Sequence, residues 1–227
     1  MPRHLAIGDI HGCYDALRTL CDFVELRDDD VLVTLGDYVN RGPNACAVLD
    51  WLIHQQRTRI LRPLRGNHEV MTLNALNSEE AYRRWLRCGG DLTLRSYSPF
   101  EGDRGSLADI PDSHWEFIQH QLLPYFETPT HFFVHANAYP DIPLEEQPEF
   151  MLYWEDYDDP PRHQSGKIMV CGHNSQKSGL PVTNGHAVCI DTWAWGTGWL
   201  TCMHAESGQI WQANQSGKTR KMWLDEV

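Results

Sequence analysis

Three short polar islands, each set at the end of an apolar run, constrain this chain more than any other feature. They are Gly8-Asp9-Ile10-His11-Gly12, Gly36-Asp37-Tyr38-Val39-Asn40-Arg41-Gly42 and Arg65-Gly66-Asn67-His68-Glu69. Each follows a strand-like segment and runs toward a helix-like one. His4–Ile7, Val31–Leu35 and Ile60–Leu64 read as strands. Tyr14–Val24 repeats Tyr14, Leu17, Leu20, Cys21 and Val24 at helical spacing,. Ala45–Gln56 repeats Ala47, Val48, Trp51 and Leu52 in the same way, with Pro43 where a helix start tolerates it,. This βαβαβ order predicts an α/β sheet whose loops gather at the C-terminal ends of the strands.

Further along, Val70–Gly89 and Ser113–Leu123 read as helices, and the polar Gly90–Pro111 stretch between them as irregular. The second half turns to strands: Tyr125–Thr128, His131–His135, Lys167–Cys171, Ala187–Asp191, Trp199–Ala205 and Gln209–Ala213. Close spacing of the last three suggests an antiparallel meander. Tyr139–Gly166, rich in Pro, Asp and Glu, reads as a long surface loop with a helical piece near Phe150–Trp154. No repeat or linker interrupts the 227 residues, so one domain over 1–227 is the economical reading,.

The islands supply hard ligands. Asp9 and His11 are two apart on a chain leaving a strand, so both can reach one ion. Asp37 has two carboxylate oxygens, enough to bridge two ions. Asn67 offers an amide carbonyl, and His135 and His173 each end an apolar strand. This mix of carboxylate, imidazole and amide suits two divalent ions, Mn²⁺ first, with Fe or Zn²⁺ as alternatives. Two ions about 3.5–4 Å apart activate a bridging water and clamp phosphoryl oxygens for in-line attack. Arg41 and Arg65 carry planar guanidinium groups that match a phosphate. His68, next to Asn67, is placed to protonate a leaving alkoxide, with a third-ligand role as the alternative. Glu69 is expected to open the next helix, where a carboxylate suits the positive dipole end.

At these residues the chain resembles the PPP-type metallophosphatases, of the bacterial and phage protein serine/threonine phosphatase kind. Those carry GDxHG, GDxxDRG and GNHE, then a strand-borne His-[Gly/Ala] and a Gly-His, here His135-Ala136 and Gly172-His173. The resemblance implies a calcineurin-like four-layer sandwich, two mixed β-sheets flanked by helices. It implies a first ion on Asp9, His11 and Asp37, and a second on Asp37, Asn67, His135 and His173. Asp191 would fall in the following meander. Two departures stand out. Asn40 replaces the Asp that in the family hydrogen-bonds the catalytic His, which implies a differently tuned His68. Trp154-Glu155-Asp156 replaces a Trp-x-Arg whose Arg contacts phosphate, with Arg162 on the same loop as a stand-in.

The expected activity is phosphomonoester hydrolysis by direct attack of the ion-bridging hydroxide on a phosphorylated protein or small phosphoester. A diadenosine tetraphosphate hydrolase is the alternative, because that related family also lacks the Asp. Trp193, Trp195 and Trp199 make a base-stacking site conceivable, although such aromatics usually serve packing. A metal-binding scaffold without strong catalysis is the reading from another class. A net charge of −12 argues against nucleic acid as a structural partner,. No apolar run reaches the roughly 20 residues that span a bilayer. The N-terminus runs straight into a strand, so no signal peptide is expected. Seven scattered cysteines without a CxxC pair suggest reduced thiols in the cytoplasm,. The sequence leaves the oligomeric state open.

Overall fold

A computed structural model describes every residue except Met1, Arg59 and Glu101. The first half folds as its periodicity predicts: β1 (His4–Ile7), α1 (Tyr14–Val24), β2 (Val31–Thr34), α2 (Ala45–Thr58) and β3 (Ile60–Pro63). The three strands pair in parallel, with β2 in the middle and buried along its whole length, as strands covered on both faces are. β3 lies at the sheet edge, where Pro63 costs no ladder bond,. α1 ends where Glu25 turns left-handed at φ 53°. α2 starts where the Asn44 side chain accepts the Ala47 N–H at 3.1 Å,.

After β3 come α3 (Asn67–Asn74), α4 (Glu79–Trp85), α5 (Asp91–Tyr97) and α6 (Asp112–Glu116). The helix expected over Val70–Gly89 is therefore split. Ser78 caps a second helix, its hydroxyl accepting the Ala81 N–H at 3.2 Å. The Gly90–Pro111 stretch is not wholly irregular, because α5 lies within it. Seven residues behind a Gly-Gly pair are too few to display a period. The remaining elements are β4 (Phe126–Glu127), β5 (His131–Phe133), α7 (Glu149–Trp154), β6 (Ile168–Cys171), β7 (Val182–Thr183), β8 (Ala187–Cys189), β9 (Leu200–His204), β10 (Gln209–Ala213) and β11 (Thr219–Trp223).

Two mixed sheets result, ordered β11-β10-β9-β1-β2-β3 and β4-β5-β6-β8-β7. The expected meander exists, but it is β9–β10–β11. β8 instead joins the second sheet, parallel to β6, and the chain then crosses to the first sheet. Strand alternation assigns the layers. Leu5 and Ile7 of β1 pack with Leu17, Leu20, Val48 and Leu52 of α1 and α2. Ala6, between them, faces the other way onto Val33, Phe133, Val170, Val188 and Met203 from both sheets. Phe132 and Val134 flank Phe133 and pack on Leu152 and Tyr153 of α7. Helix, sheet, sheet, helix is the four-layer sandwich that the resemblance implies. A smaller cluster of Ala75, Trp85, Leu94 and Ile110 holds α3, α4 and α5 together beside it. The cysteines are all free thiols, and no helix among the described residues is long and apolar enough to cross a membrane.

Candidate metal centre

The three islands emerge side by side at the ends of β1, β2 and β3, and main-chain bonds lock them together. The Asp37 carbonyl accepts the N–H groups of Ile10 at 3.2 Å and His11 at 2.7 Å. Glu69 does open α3, as expected, but its carboxylate does more than meet the dipole. It accepts the N–H groups of Asp37 (2.8 Å), Tyr38 (2.8 Å) and Gly66 (3.0 Å), tying the third island to the second. The site is also where the backbone is most unusual. His11 (φ 45°), Asp37 (53°), Asn40 (68°), Arg41 (67°) and His173 (66°) all hold left-handed conformations. Each costs about 1–3 kcal/mol and persists only where the surroundings over-determine it.

Asp37 is the centre of the cluster. Its Oδ2 lies 3.4 Å from His11 Nε2 and 3.8 Å from His68 Nε2, and its Oδ1 lies 3.5 Å from His135 Nε2. Two groups of potential ligand atoms share it: His11, Asp37 and His68, and Asp9, Asp37 and His135, each within 4.8 Å. Asn67 Oδ1 is 3.1 Å from His135 Nε2. The His135 and His173 rings lie 5.1 Å apart, and the His173 N–H donates to both Asp9 oxygens at 3.2 and 3.0 Å. All six expected ligands thus meet in one place. The grouping differs from the expected division in two respects: Asp9 sits with His135, and His68 sits with His11 and Asp37.

The donor set fits divalent cations. Nδ1 of His11 faces the Val39 carbonyl at 2.9 Å and Nδ1 of His135 faces the Leu35 carbonyl at 2.8 Å. Each bond fixes the tautomer that leaves Nε2 free to ligate. Burial pushes the His11 imidazole well below its usual range and brings His135 down to about 4, so both are neutral. Burial raises the Asp37 carboxyl to about 7. Asp9 is raised by burial and by the facing Asp191 and Asp37 carboxyls. Such crowding of buried acids is relieved by positive charge placed among them. Two glycines make room for the acids: a Cβ on Gly66 would stand 2.2 Å from Asp37 Oδ1, and one on Gly172 would stand 2.0 Å from Asp9 Oδ1. Asn67 and His173, two of the expected ligands, each follow one of these glycines.

Asn40 and His68 are in direct contact, Asn40 Nδ2 lying 2.8 Å from His68 Nδ1. The Thr93 hydroxyl donates to Asn40 Oδ1 at 2.9 Å and accepts the Asn40 N–H at 2.8 Å. This places the amide NH₂ toward the ring, so His68 Nδ1 accepts and the ring proton sits on Nε2, facing Asp37. Burial, with His11 and Arg41 adding to it, holds the His68 pKa well down. Sequence reasoning missed Thr93, which the unforeseen α5 supplies.

Asp191 was also misplaced. It follows β8 rather than lying in the meander, is 1% exposed, and accepts from Ser175 Oγ at 2.6 Å and from the Trp193 N–H at 3.0 Å. The signal was present: an apolar run ending in an acid, the pattern of the islands themselves. Arg41 lies at the cluster, its Nη1 3.3 Å from His11 Nε2. Arg65 is engaged elsewhere. Its Nη2 donates to the carbonyls of Ile118 (3.2 Å) and Gln119 (2.9 Å), bracing the third island against the π-helical segment Phe117–Gln121 that continues α6. Arg162 is exposed and donates to Gly166 in its own loop. The Trp-Glu-Asp segment instead sets Asp156 where its charge acts on His173.

A model of the calcineurin-like phosphoesterases matches residues 2–210, and the chain belongs to that family of phosphoester hydrolases. It is 34% identical to serine/threonine-protein phosphatase 1 of Salmonella typhimurium over 146 residues, 62% of this chain and 60% of that protein. A symmetrical bis(5'-nucleosyl)-tetraphosphatase of Legionella pneumophila is 40% identical over 90 residues, 39% of this chain and 30% of that protein. The chain therefore aligns with less than two thirds of either relative's length. A cold-active protein-tyrosine phosphatase from a Shewanella species has the same fold, with a TM-score of 0.65 at 15% identity, covering 97% of this chain and 80% of that one. So does a serine/threonine phosphatase from Saccharomyces cerevisiae, with a TM-score of 0.57 at 16% identity, covering 89% and 73%.

Proposed function

We propose that this chain is a phosphomonoester hydrolase dependent on two divalent ions, acting on phosphoserine or phosphothreonine in proteins. The observation that carries the reading is Asp37, shared by two groups of ligand atoms, with His68 inside one of them and Arg41 at its edge. Asp9, His11, Asp37, Asn67, His135 and His173 hold the ions, Mn²⁺ by preference for a mixed oxygen and imidazole set. When bound, the ions lower the pKa of water and neutralise phosphoryl oxygens. Arg41 binds and orients the phosphoryl group, donating where charge builds in the transition state. His68 gives its Nε2 proton to the leaving alkoxide. Asn40 keeps that proton on Nε2 by occupying Nδ1. Glu69 holds Asp37 in its left-handed conformation.

A second reading, hydrolysis of a dinucleoside tetraphosphate, is favoured by Asn40 and by the alignment with the Legionella protein. Turnover of p-nitrophenyl phosphate with Mn²⁺, beside a phosphopeptide panel and diadenosine tetraphosphate, decides among the readings. Hydrolysis of the phosphopeptides above the dinucleotide supports the first. Inactivity on all three with metal bound overturns both and leaves a binding scaffold.

A further inference from the structure

The chain that crosses from β8 to β9 carries Trp193 and Trp195, and only the second is open at the site. Trp195 is 37% exposed. The Arg41 guanidinium carbon lies over its ring, 4.8 Å from the centroid. The His11 ring stands edge-on at 6.4 Å and 86°, and Trp193 braces the indole at 5.7 Å and 89°. Trp199, the third candidate, is elsewhere: it stacks under Arg220 at 4.4 Å. One aromatic surface is therefore fixed beside the arginine that faces the ligand cluster and is left partly uncovered. Tryptophan is highly buried on average although rarely completely so, and Trp195 leaves more than a third of its surface in water beside the site,.

We propose that Trp195 is a specificity-determining residue that stacks on an aromatic ring carried by the phosphoryl group of the substrate. The inference rests on the phosphoester-hydrolase reading and refines it. The Arg41 guanidinium carbon is 4.8 Å from the indole centroid, so a ring on the ester oxygen of a phosphate held by Arg41 can reach the uncovered part of the indole. An aliphatic seryl or threonyl ester offers nothing to stack, whereas a phenyl ester or a nucleotide does. Trp195 thus favours ring-bearing phosphoesters over the aliphatic ones of the first reading.

The test is calorimetric binding of four non-hydrolysable ligands to the full chain reconstituted with Mn²⁺: inorganic phosphate, methylphosphonate, phenylphosphonate and the phosphonate analogue of adenosine 5'-monophosphate in which a methylene replaces the ester oxygen. At least one ring-bearing ligand should bind ~5-fold or more tighter than methylphosphonate, the scale of one base–aromatic stack. Trp195→Ala should abolish that preference while phosphate and methylphosphonate stay within ~2-fold, and Trp195→Phe should keep most of it. Phenylphosphonate and the nucleotide separate an aryl ester from a nucleotide as the source of the ring. Equal loss for all four ligands would reduce Trp195 to a prop for Arg41 and overturn the proposal, as would absence of any ring preference in the parent protein. Turnover of p-nitrophenyl phosphate is measured in parallel. Ring-selective binding without turnover overturns the hydrolase reading alone, and turnover without ring selectivity overturns this inference alone.

Discussion

The two sheets build opposite halves of one site by different means. The first sheet contributes through the three islands, whose residues are almost wholly buried and cross-linked by backbone, with Glu69 joining the second island to the third. The second sheet contributes single residues at strand ends: His135 after β5, His173 after β6 and Asp191 after β8. The first half is a pre-formed cradle that stores most of the site's backbone strain, at His11, Asp37, Asn40 and Arg41, with His173 the counterpart in the second half. The second half is a set of side chains that the sheet aims at it. Asp9 reaches the second half through the His173 N–H and Asn67 through the His135 ring, but it is Asp37 that belongs to both groups of ligand atoms, with His11 on one side and His135 on the other. The largest expected effect follows. Asp37→Ala should lose both ions and ~10³-fold or more in turnover, while His11→Ala should mainly weaken one ion. Metal analysis of the purified variants checks this, and full occupancy in Asp37→Ala would remove the idea that one residue joins the halves.

His68 sharpens the contrast, because it belongs to the cradle yet is assigned to proton transfer. His68→Asn should retain metal and slow unactivated alkyl esters ~10²-fold or more, with a smaller loss on p-nitrophenyl phosphate, whose leaving group needs little protonation. Equal losses on both esters, or loss of metal, would make His68 a ligand, the role its nearness to His11 and Asp37 also permits.

The halves were unequally legible in the sequence for the same physical reason. An island must bend the chain and present several donors within a few residues, so it leaves a dense local signature. His135 and His173 were found because each ends an apolar run, although a lone histidine at a strand end says little without the islands. Asp191 has the same signature but was assigned to the wrong sheet, since the crossing after β8 is decided by long-range pairing with β6 and not by local spacing. Thr93 left no trace: its role depends on α5 packing beside the second island, where the Ser96 hydroxyl accepts the Cys46 N–H at 3.1 Å. The four-layer fold itself was legible through the family pattern, while α5, β7 and β11 were not.

Acidity distinguishes the halves next. The Asp37 carboxyl, raised to about 7 by burial, holds a proton in the metal-free protein below that pH, and an entering ion must displace it,. His135 at about 4 and His173 at about 3, both lowered by burial, are already neutral and do not compete. Apparent Mn²⁺ affinity should therefore fall as pH drops below 7, by up to ~10-fold per unit, with the carboxylates and not the imidazoles responsible. Calorimetry in buffers of different ionisation heat counts the protons: release should be clear at pH 6 and small at pH 8. An affinity that is flat between those pH values would contradict the assignment.

The smallest expected effect lies at Asn40, where the resemblance to the protein phosphatases implies an Asp. The amide donates to His68 Nδ1, so the ring is held neutral with its proton on Nε2. It can still act as a proton donor, but without the charge that would strengthen it. A carboxylate at this position would accept from Nδ1 and also from the Thr93 hydroxyl, so the existing contacts survive the change. It would favour the imidazolium and make Nε2 a stronger acid. Asn40→Asp should raise turnover by roughly 3- to 10-fold on alkyl esters and by less on p-nitrophenyl phosphate. The alkaline limb of the rate profile should move to higher pH, since the group that must stay protonated holds its proton longer. The ratio of the two rates is the decisive reading: if it does not change, Asn40 acts on Arg41 or on the fold of the second island, and proton donation by His68 is not what the substitution tunes.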